Sequence, residues 1–519
     1  MITGPAADAA PFAPSTQDIR SLRVVRRPSR LAQWRIPLTA LALLLAYLFV
    51  YPAQIELSGD QTAQVVAARS LLEDGTYRTS LHDVYGPEVR IEIGADLRHP
   101  LRWFPPGYSL LLFGLAKAGL SMPAAALLLY YLLKVLWAVT WLAVGVALGI
   151  PFRTIAFSAG FLFFLTYPST TTDFFESVAA GLVLLIALQP QNSLRRDLFT
   201  SLTIAAGILM RYAAVKLALF YAAFHLWPRT RRVPAVRLFL TLAPAAITYL
   251  FCTRVIGGEA TPYHGVHSAA HIAWHLLPKA AYYAVTGGWS PSQPILKGVL
   301  LVFLAAAGIG LYRSLKLKAL PGWIWLLAAW QCFCCLFLIA VQLRYASVYS
   351  SSEPAFATPR YYTLAQPLNT AALLVLAPLA FRSKRKALTT ALAAVLILCA
   401  ADWASANRTL LRSFARGTDG FLRPADLGAV FRLLEERHPD AIFNGIGVFL
   451  FGAGDPRVLY PYNVSGLRAP KDCRIAVVRF KGEDSALVNA LEGRIAPCEL
   501  DRIGTFEVRL YQLPVGFTL

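Results

Sequence analysis

Apolar residues along this chain are grouped in blocks of about 15–25 residues that alternate with shorter polar segments. A helix needs about 20 apolar residues to cross the hydrocarbon core of a bilayer, where every backbone polar group must be paired internally. The pattern therefore predicts a helical bundle with roughly eleven membrane spans. Segment 108–120 is too short for a span and is predicted to be re-entrant. The predicted spans are 36–53, 123–150, 154–168, 174–190, 197–210, 213–228, 235–256, 295–313, 321–342, 361–381 and 387–403.

The pattern changes after Trp403, where long apolar blocks give way to short ones separated by polar residues. Residues 404–519 are predicted to form a small soluble α/β domain, after a disordered basic segment at 1–35 and a transmembrane module at 36–403. The fold class is thus an all-α polytopic membrane protein with a C-terminal α/β domain. Its predicted elements are helices at 424–437 and 484–491 and strands at 441–451, 474–480 and 504–513.

The distribution of charged residues among the loops predicts how the chain is oriented in the membrane. The chain is 56% hydrophobic and 15% charged, with a formal net charge of +20, which excludes a soluble multidomain enzyme. The positive residues lie in alternate loops, which is typical of membrane topology and not of nucleic-acid binding. Loop 54–108 instead has eight acids against five Lys and Arg residues. The N-terminus is therefore predicted to be cytoplasmic, with this loop and the C-terminal domain outside.

Acidic residues occur at two places on the predicted outer side. Asp60 follows the first span, and Asp173 and Glu176 lie in the turn at 169–177, where the span at 174–190 begins. A carboxylate at such a position can take a proton from an attacking hydroxyl group. The alternative for each acid is helix capping, with Asp60 as the N-cap of a helix that starts at Gln61.

Arginines lie inside or at the mouths of apolar segments on the same side. Such a charge in an apolar segment costs at least about 2.5 kcal/mol, so it usually has a partner or a function. A guanidinium group binds phosphate through paired hydrogen bonds, although interfacial anchoring is the competing role. The candidates for binding a donor phosphate are Arg98, Arg102, Arg211, Arg344 and Arg360, and the neighbouring Tyr108, Tyr212 and Tyr361 are assigned to sugar and acceptor contacts.

Histidines and cysteines leave two further questions open. His264, His267 and His271 would share one face of a helix, which fits either a divalent metal ion or an interfacial helix with a polar stripe. Cys473 and Cys498 are the two cysteines of the predicted external domain. An oxidising compartment would allow a disulfide between them.

Several short stretches together resemble a known family, the polyprenyl-phosphate-sugar-dependent GT-C membrane glycosyltransferases. The likeness is greatest to the bacterial protein-mannosyltransferase and aminoarabinose-transferase-like group. Each motif is weak alone, but they occur in the family's order over the N-terminal half. The stretches are Gly59-Asp60, 67–77, 105–110, 167–176, 210–212 and, more weakly, 359–362.

The resemblance implies a sugar transfer from a polyprenyl-phosphate donor to an acceptor hydroxyl, with inversion, at the periplasmic face of a bacterial inner membrane. It maps the catalytic base to Asp60 and the second acid to Glu176, with Asp173 as a competing choice. Family members often have an acid directly after the first, where this chain has Gln61. A lipid transporter or flippase, an O-antigen polymerase or ligase, and a non-catalytic scaffold are the alternatives.

Overall fold

The computed structural model describes most of the membrane-embedded chain and most of the C-terminal part. The described residues are 30–50, 59–79, 92–93, 98–101, 104–165, 171–188, 193–226, 235–256, 274–286, 291, 293–344, 359–381, 385–406, 424–444, 457–459, 467–482, 486–504 and 506–519.

Each predicted apolar block overlaps a helix. The helices up to residue 406 are α1 (Arg30–Val50), α2 (Gly59–Glu73), α3 (Gly107–Lys117), α4 (Met122–Ala147), α5 (Phe152–Leu165), α6 (Thr171–Leu188), α7 (Leu194–Met210), α8 (Val215–Leu226), α9 (Ala235–Leu250), α10 (Leu277–Thr286), α11 (Pro294–Lys316), α12 (Gly322–Arg344), α13 (Gln366–Leu376) and α14 (Arg385–Ala406). Shorter 3-10 segments precede α8 (Tyr212–Ala214), α10 (Trp274–Leu276) and α13 (Pro359–Ala365) and follow α13 (Ala377–Ala380), and a π turn (Phe251–Ile256) ends α9.

The described part of the chain contains 6 helices that are long and apolar enough to cross a bilayer, and shorter apolar helices accompany them. The chain is therefore a multi-pass membrane protein, as the sequence predicts. The segment predicted to be re-entrant forms α3, an 11-residue helix. With a rise of about 1.5 Å per residue, such a helix is too short to span the hydrocarbon core.

Small residues set how closely the helices of the bundle approach each other. Gly181 of α6 lies against Thr140 of α4, and a Cβ atom at position 181 would collide with the Thr140 methyl group. At the start of α3, Gly107 lies equally close to the backbone of Leu209 near the end of α7. Such contacts are typical of membrane helices, which associate through close packing and gain no hydrophobic driving force from lipid.

The main strands of the C-terminal part are β3 (Ala441–Asn444), β4 (Val458–Leu459), β6 (Cys473–Phe480), β7 (Glu499–Ile503) and β8 (Phe506–Leu513). They form a five-stranded mixed sheet in the order β4-β3-β6-β8-β7. Strands β3 and β4 and strands β3 and β6 pair in parallel, whereas β8 pairs antiparallel with β6 and β7. The helices of this part are α15 (Pro424–Arg437) and α16 (Ala486–Glu492). Two further pairs are β1 (Arg78–Thr79) with β2 (His99–Pro100) and β5 (Arg468–Ala469) with β9 (Phe517–Thr518).

Helix α2 is buried between the sheet and the bundle. The sequence pattern predicts that its apolar face lies along the membrane surface, but that face, with Ala63, Val66 and Ala67, packs in one cluster with residues of α15 and the sheet. Its other face, with Val65 and Ala68, packs against residues of α3, α4 and the end of α7. The small alanine side chains allow close approach on both faces, so protein takes the place that we predicted for lipid.

The candidate disulfide between Cys473 and Cys498 does not form, and both cysteines are free thiols. Cys473 begins β6 opposite Leu513 of β8, whereas the amide of Cys498 bonds to Leu510 on the other side of β8. One strand therefore separates the two cysteines, a distance of roughly 10 Å at about 4.8 Å per strand. A disulfide needs Cα atoms about 4.4–6.8 Å apart.

Candidate functional site

Two acids and two cations from three helices meet at one end of the bundle. Asp173 and Glu176 lie three residues apart in the first turns of α6, so they point to the same side of that helix. Arg211 is the extended residue (φ −159°, ψ 125°) at which α7 ends. Lys216 lies in the first turn of α8, after a 3-10 turn. We call Asp173, Glu176, Arg211 and Lys216 the ionic cluster.

Ion pairs connect all four side chains of the ionic cluster. Arg211 pairs with Asp173 through Nη1, and its Nε lies 3.2 Å from Oε2 of Glu176. The Lys216 ammonium lies 2.9 Å from the other oxygen of Glu176. The exposed fraction of these side chains is 12% for Arg211 and 6% or less for the others. Pairing two negative with two positive charges offsets the cost of burying them at membrane depth.

Lys216 is the member that our site prediction missed. A lysine near the end of an apolar segment can extend its ammonium group to the interface. The structure instead buries Lys216 and directs it to Glu176. The signal in the sequence was a second cation five residues after Arg211, inside an apolar run.

A second buried lysine lies among aromatic rings. Lys134 of α4 is fully buried, and its ammonium group lies 3.4 Å from the ring centre of Tyr47 and 4.8 Å from that of Phe163. The rings of Tyr130 and Phe174 are within 6 Å of the same group. Aromatic faces attract a cation, which stabilises Lys134 at a depth where an ammonium group would otherwise be costly.

The start of α2 contacts the start of α6. The buried side-chain amide of Gln61 donates a hydrogen bond to the hydroxyl of Thr171, with 2.5 Å between Nε2 and Oγ1. The Tyr108 hydroxyl lies beside the same two side chains. The backbone of Asp60 is therefore next to the helix end that carries Asp173, although the Asp60 side chain lies outside the described residues. Helix α2 already includes Gly59, so Asp60 is in its first turn and does not precede it as an N-cap.

The remaining predicted phosphate ligands fall in different places. Arg98 pairs with Asp74, with 2.9 Å between Nη1 and Oδ2. Asp74 follows the last residue of α2, about 20 Å from Gln61 at 1.5 Å per residue. Arg98 is thus held at the far end of α2, away from the ionic cluster. Arg102 and the side chains of Arg344 and Arg360 lie outside the described residues.

Of the predicted aromatic contacts, Tyr361 is the one that faces the ionic cluster. The guanidinium carbon of Arg211 lies 5.6 Å from the ring centre of Tyr361. Tyr212 instead donates a hydrogen bond to the carbonyl of Cys252 in the π turn, 3.4 Å away. The three histidines proposed for a metal lie outside the described residues. Within the described ranges, no group of three His, Cys, Asp or Glu side chains could hold a metal ion.

An apolar cavity between α4, α6, α8 and α12 adjoins the ionic cluster. Two of its lining residues follow members of the cluster on the same helices: Ala180 is one turn after Glu176, and Leu217 comes directly after Lys216. Other residues that line it are Trp141, Trp330, Ala365 and Leu368. The ionic cluster and the apolar cavity are thus neighbours within one bundle.

Comparison with protein-family models gives no match, and comparison with curated proteins gives none. Among solved structures, the chain is similar to ArnT from Cupriavidus metallidurans. The apo structure of ArnT shares 12% identity at a TM-score of 0.48, with 93% of this chain and 98% of that chain covered. The structure of ArnT bound to undecaprenyl phosphate shares 12% identity at a TM-score of 0.49, with 92% and 98% covered.

Proposed function

We propose that this protein is a membrane glycosyltransferase that moves a sugar from a polyprenyl-phosphate donor to an acceptor hydroxyl. The observation that carries the proposal is the ionic cluster beside the apolar cavity. A polyprenyl phosphate has a charged head and a long hydrocarbon tail, and the two compartments match those two parts. The bound undecaprenyl phosphate of an ArnT structure is the same chemical class of ligand.

The cations of the cluster are placed to bind the donor phosphate. Arg211 is shared between Asp173 and Glu176, and Lys216 contacts Glu176. The two acids hold both cations in place without solvent, so little reorganisation is needed when a phosphate arrives. During the reaction the donor's phosphate leaves as part of polyprenyl phosphate, and the cations stabilise the negative charge that develops on it.

The proposed base is Asp60, at the start of α2. Its carboxylate accepts the proton of the acceptor hydroxyl while the hydroxyl oxygen attacks the anomeric carbon. The bond from that carbon to the phosphate oxygen breaks, and polyprenyl phosphate leaves with the electron pair. A single displacement inverts the anomeric configuration. The Gln61–Thr171 hydrogen bond supports this role, since it ties the start of α2 to the helix that carries Asp173 and Glu176.

The location that we propose is a bacterial inner membrane, with a cytoplasmic N-terminus and the site on the periplasmic side. The alternation of charged loops favours this orientation. The first loop, the ionic cluster and the C-terminal sheet also meet at one end of the bundle through α2. In this proposal residues 36–403 form the transmembrane catalytic module and residues 404–519 form the periplasmic α/β domain.

The test is transfer by purified protein in lipid nanodiscs, supplied with a panel of polyprenyl-phosphate sugars that carry a labelled sugar. We expect release of polyprenyl phosphate, and a loss of about 100- to 10,000-fold for Asp60→Asn because the base is removed. Asp74→Asn is the matched control, because it changes an acid at the other end of the same helix. An active Asp60→Asn would refute the base, and movement of intact donor across the bilayer without release would favour a flippase.

A further inference from the structure

Ser177 joins three parts of the bundle through its hydroxyl group. Its oxygen accepts hydrogen bonds from the indole nitrogens of Trp137 and Trp141 of α4, at 3.1 and 2.9 Å. The same hydroxyl donates to the carbonyl oxygen of Leu364 at 2.6 Å. Leu364 belongs to the 3-10 segment Pro359–Ala365, which is far from α6 in sequence. We call these four residues the Ser177 node.

The hydroxyl of Ser177 has no bonding capacity left for substrate. A serine hydroxyl has one proton to donate and two lone pairs to accept with, and all three are used. The node is also closed to solvent, since Ser177, Trp137, Trp141 and Leu364 are each at least 96% buried. Any effect of Ser177 on substrate must therefore be transmitted by the elements that it connects, which are α4, α6 and the 3-10 segment Pro359–Ala365.

The Ser177 node lies between the ionic cluster and the apolar cavity. Ser177 directly follows Glu176 of the ionic cluster on α6. In the 3-10 segment, Tyr361 faces Arg211 of the cluster, and Ala365 lines the apolar cavity. Trp141, which donates to Ser177, lines the same cavity. The Ser177–Leu364 bond thus fixes the distance between α6, which carries Asp173 and Glu176, and the 3-10 segment, which borders both the ionic cluster and the apolar cavity.

We infer that Ser177 is a positioning residue for the lipid-phosphate donor. By holding Leu364 it keeps Tyr361 against the phosphate end of the site and Ala365 against the apolar end. This role rests on the proposed function, because it assigns the ionic cluster and the apolar cavity to one donor molecule. Loss of the bond should weaken donor binding more than the chemical step, since Ser177 does not touch the reacting atoms.

The structural half of the inference is tested without substrate, by hydrogen–deuterium exchange in nanodiscs. Ser177→Ala should speed amide exchange in residues 360–365 by about tenfold or more, because the segment loses its bond to α6. Trp137→Phe keeps the Ser177–Leu364 bond and should leave this exchange within about twofold of wild type. Ser158→Ala is the matched control, since that buried hydroxyl bonds to Thr154 within its own helix.

The functional half is tested by transfer kinetics with the polyprenyl-phosphate sugar used most rapidly by wild type. Ser177→Ala should raise KM for the donor about tenfold and change kcat less than about threefold, with an unchanged pH profile. Ser177→Thr, which keeps the hydroxyl, should restore both the exchange rate and KM. Ser158→Ala should match wild type in both.

Unchanged exchange of residues 360–365 in Ser177→Ala would overturn the inference, as would equal effects of Trp137→Phe or Ser158→Ala. A loss confined to kcat would overturn it too, because it would place Ser177 in the chemical step. Absence of transfer by wild-type protein with every donor would instead contradict the proposed function. The exchange experiment separates the two failures, since it needs no donor.

Discussion

Two charged networks in this protein have similar composition and different surroundings. In the ionic cluster, Glu176 pairs with Arg211 and Lys216 between helices of the bundle. On the C-terminal sheet, Glu507 pairs with Arg479 and Arg509, and Arg509 also pairs with Glu492. In both networks a buried glutamate lies between two cations. We call the second set, Arg479, Glu492, Glu507 and Arg509, the sheet network.

The difference lies in how each network is assembled and what lies beside it. Arg479 and Glu507 are directly opposite each other on paired strands β6 and β8, so sheet register alone brings them together. The members of the ionic cluster come from three helices, and an apolar cavity adjoins them. Cross-strand pairs such as Arg479–Glu507 stabilise a local structure. Charges buried beside an apolar cavity at membrane depth usually have a functional reason, and in the proposed function that reason is the binding of the donor phosphate.

The largest effect is expected from Glu176→Gln in the ionic cluster. The substitution leaves Lys216 buried without its carboxylate, which should cost about 3–5 kcal/mol of stability. It should also reduce transfer by more than about 100-fold, because Arg211 and Lys216 lose their alignment. Denaturant unfolding in detergent measures the first effect, and release of polyprenyl phosphate measures the second.

The double variant Glu176→Gln/Lys216→Met separates those two effects. With both charges removed, the remaining pair of Arg211 and Asp173 is neutral, so most of the lost stability should return. Transfer should stay lost. If the double variant regained activity together with stability, the ionic cluster would be a structural device like the sheet network, and its assignment to the donor phosphate would be wrong.

An intermediate effect is expected from Glu507→Gln in the sheet network. Arg509 keeps its pair with Glu492, and the two arginine side chains are 14% and 15% exposed, against 2% for Lys216. The loss of stability should therefore be smaller, about 1–3 kcal/mol. Transfer measured on folded protein should stay within about twofold of wild type. A loss of transfer as large as that of Glu176→Gln would mean that the sheet network belongs to the active site.

The smallest effect is expected from Asp74→Asn. Hydrogen bonds from the Thr76 side chain and backbone amide, with a further contribution from Arg98, hold the pKa of the Asp74 carboxyl below its ordinary value. A lowered pKa stabilises the fold above the ordinary aspartate value of about 4, and this stabilisation is lost as pH falls through the folded pKa. The melting temperature of Asp74→Asn should therefore be lower than that of wild type by only about 2 °C at neutral pH, and the gap should close as the pH falls below the ordinary pKa of aspartate.

Arg98→Gln sharpens the same comparison. It should lower the melting temperature about as much as Asp74→Asn at neutral pH, because both break one exposed pair. The KM for donor should not change, since Arg98 is held at the far end of α2. A rise in KM of about tenfold or more would show that Arg98 contributes to donor binding, as the sequence suggested.

Sequence reasoning succeeded where a signal is local and failed where it depends on packing. Helix α15 begins and ends at the predicted residues, because its apolar positions follow a helical period. The predicted grouping of Asp173, Glu176 and Arg211 follows from their lying at the same ends of adjacent spans. The partner of Arg98 and the separation of Cys473 from Cys498 could not be predicted, because strand order and the path of the first loop decide them.

The sequence by itself determined that this protein crosses a membrane many times and carries charges at the ends of particular spans. Those features follow from hydropathy and helix length, which act within one segment. Only the tertiary structure decided that α2 is buried between bundle and sheet, that Lys216 completes the ionic cluster, and that Ser177 connects α6 to the segment at Leu364. Each of these depends on contacts between residues distant in the chain, and such contacts are selected by packing and by the need to pair buried polar groups.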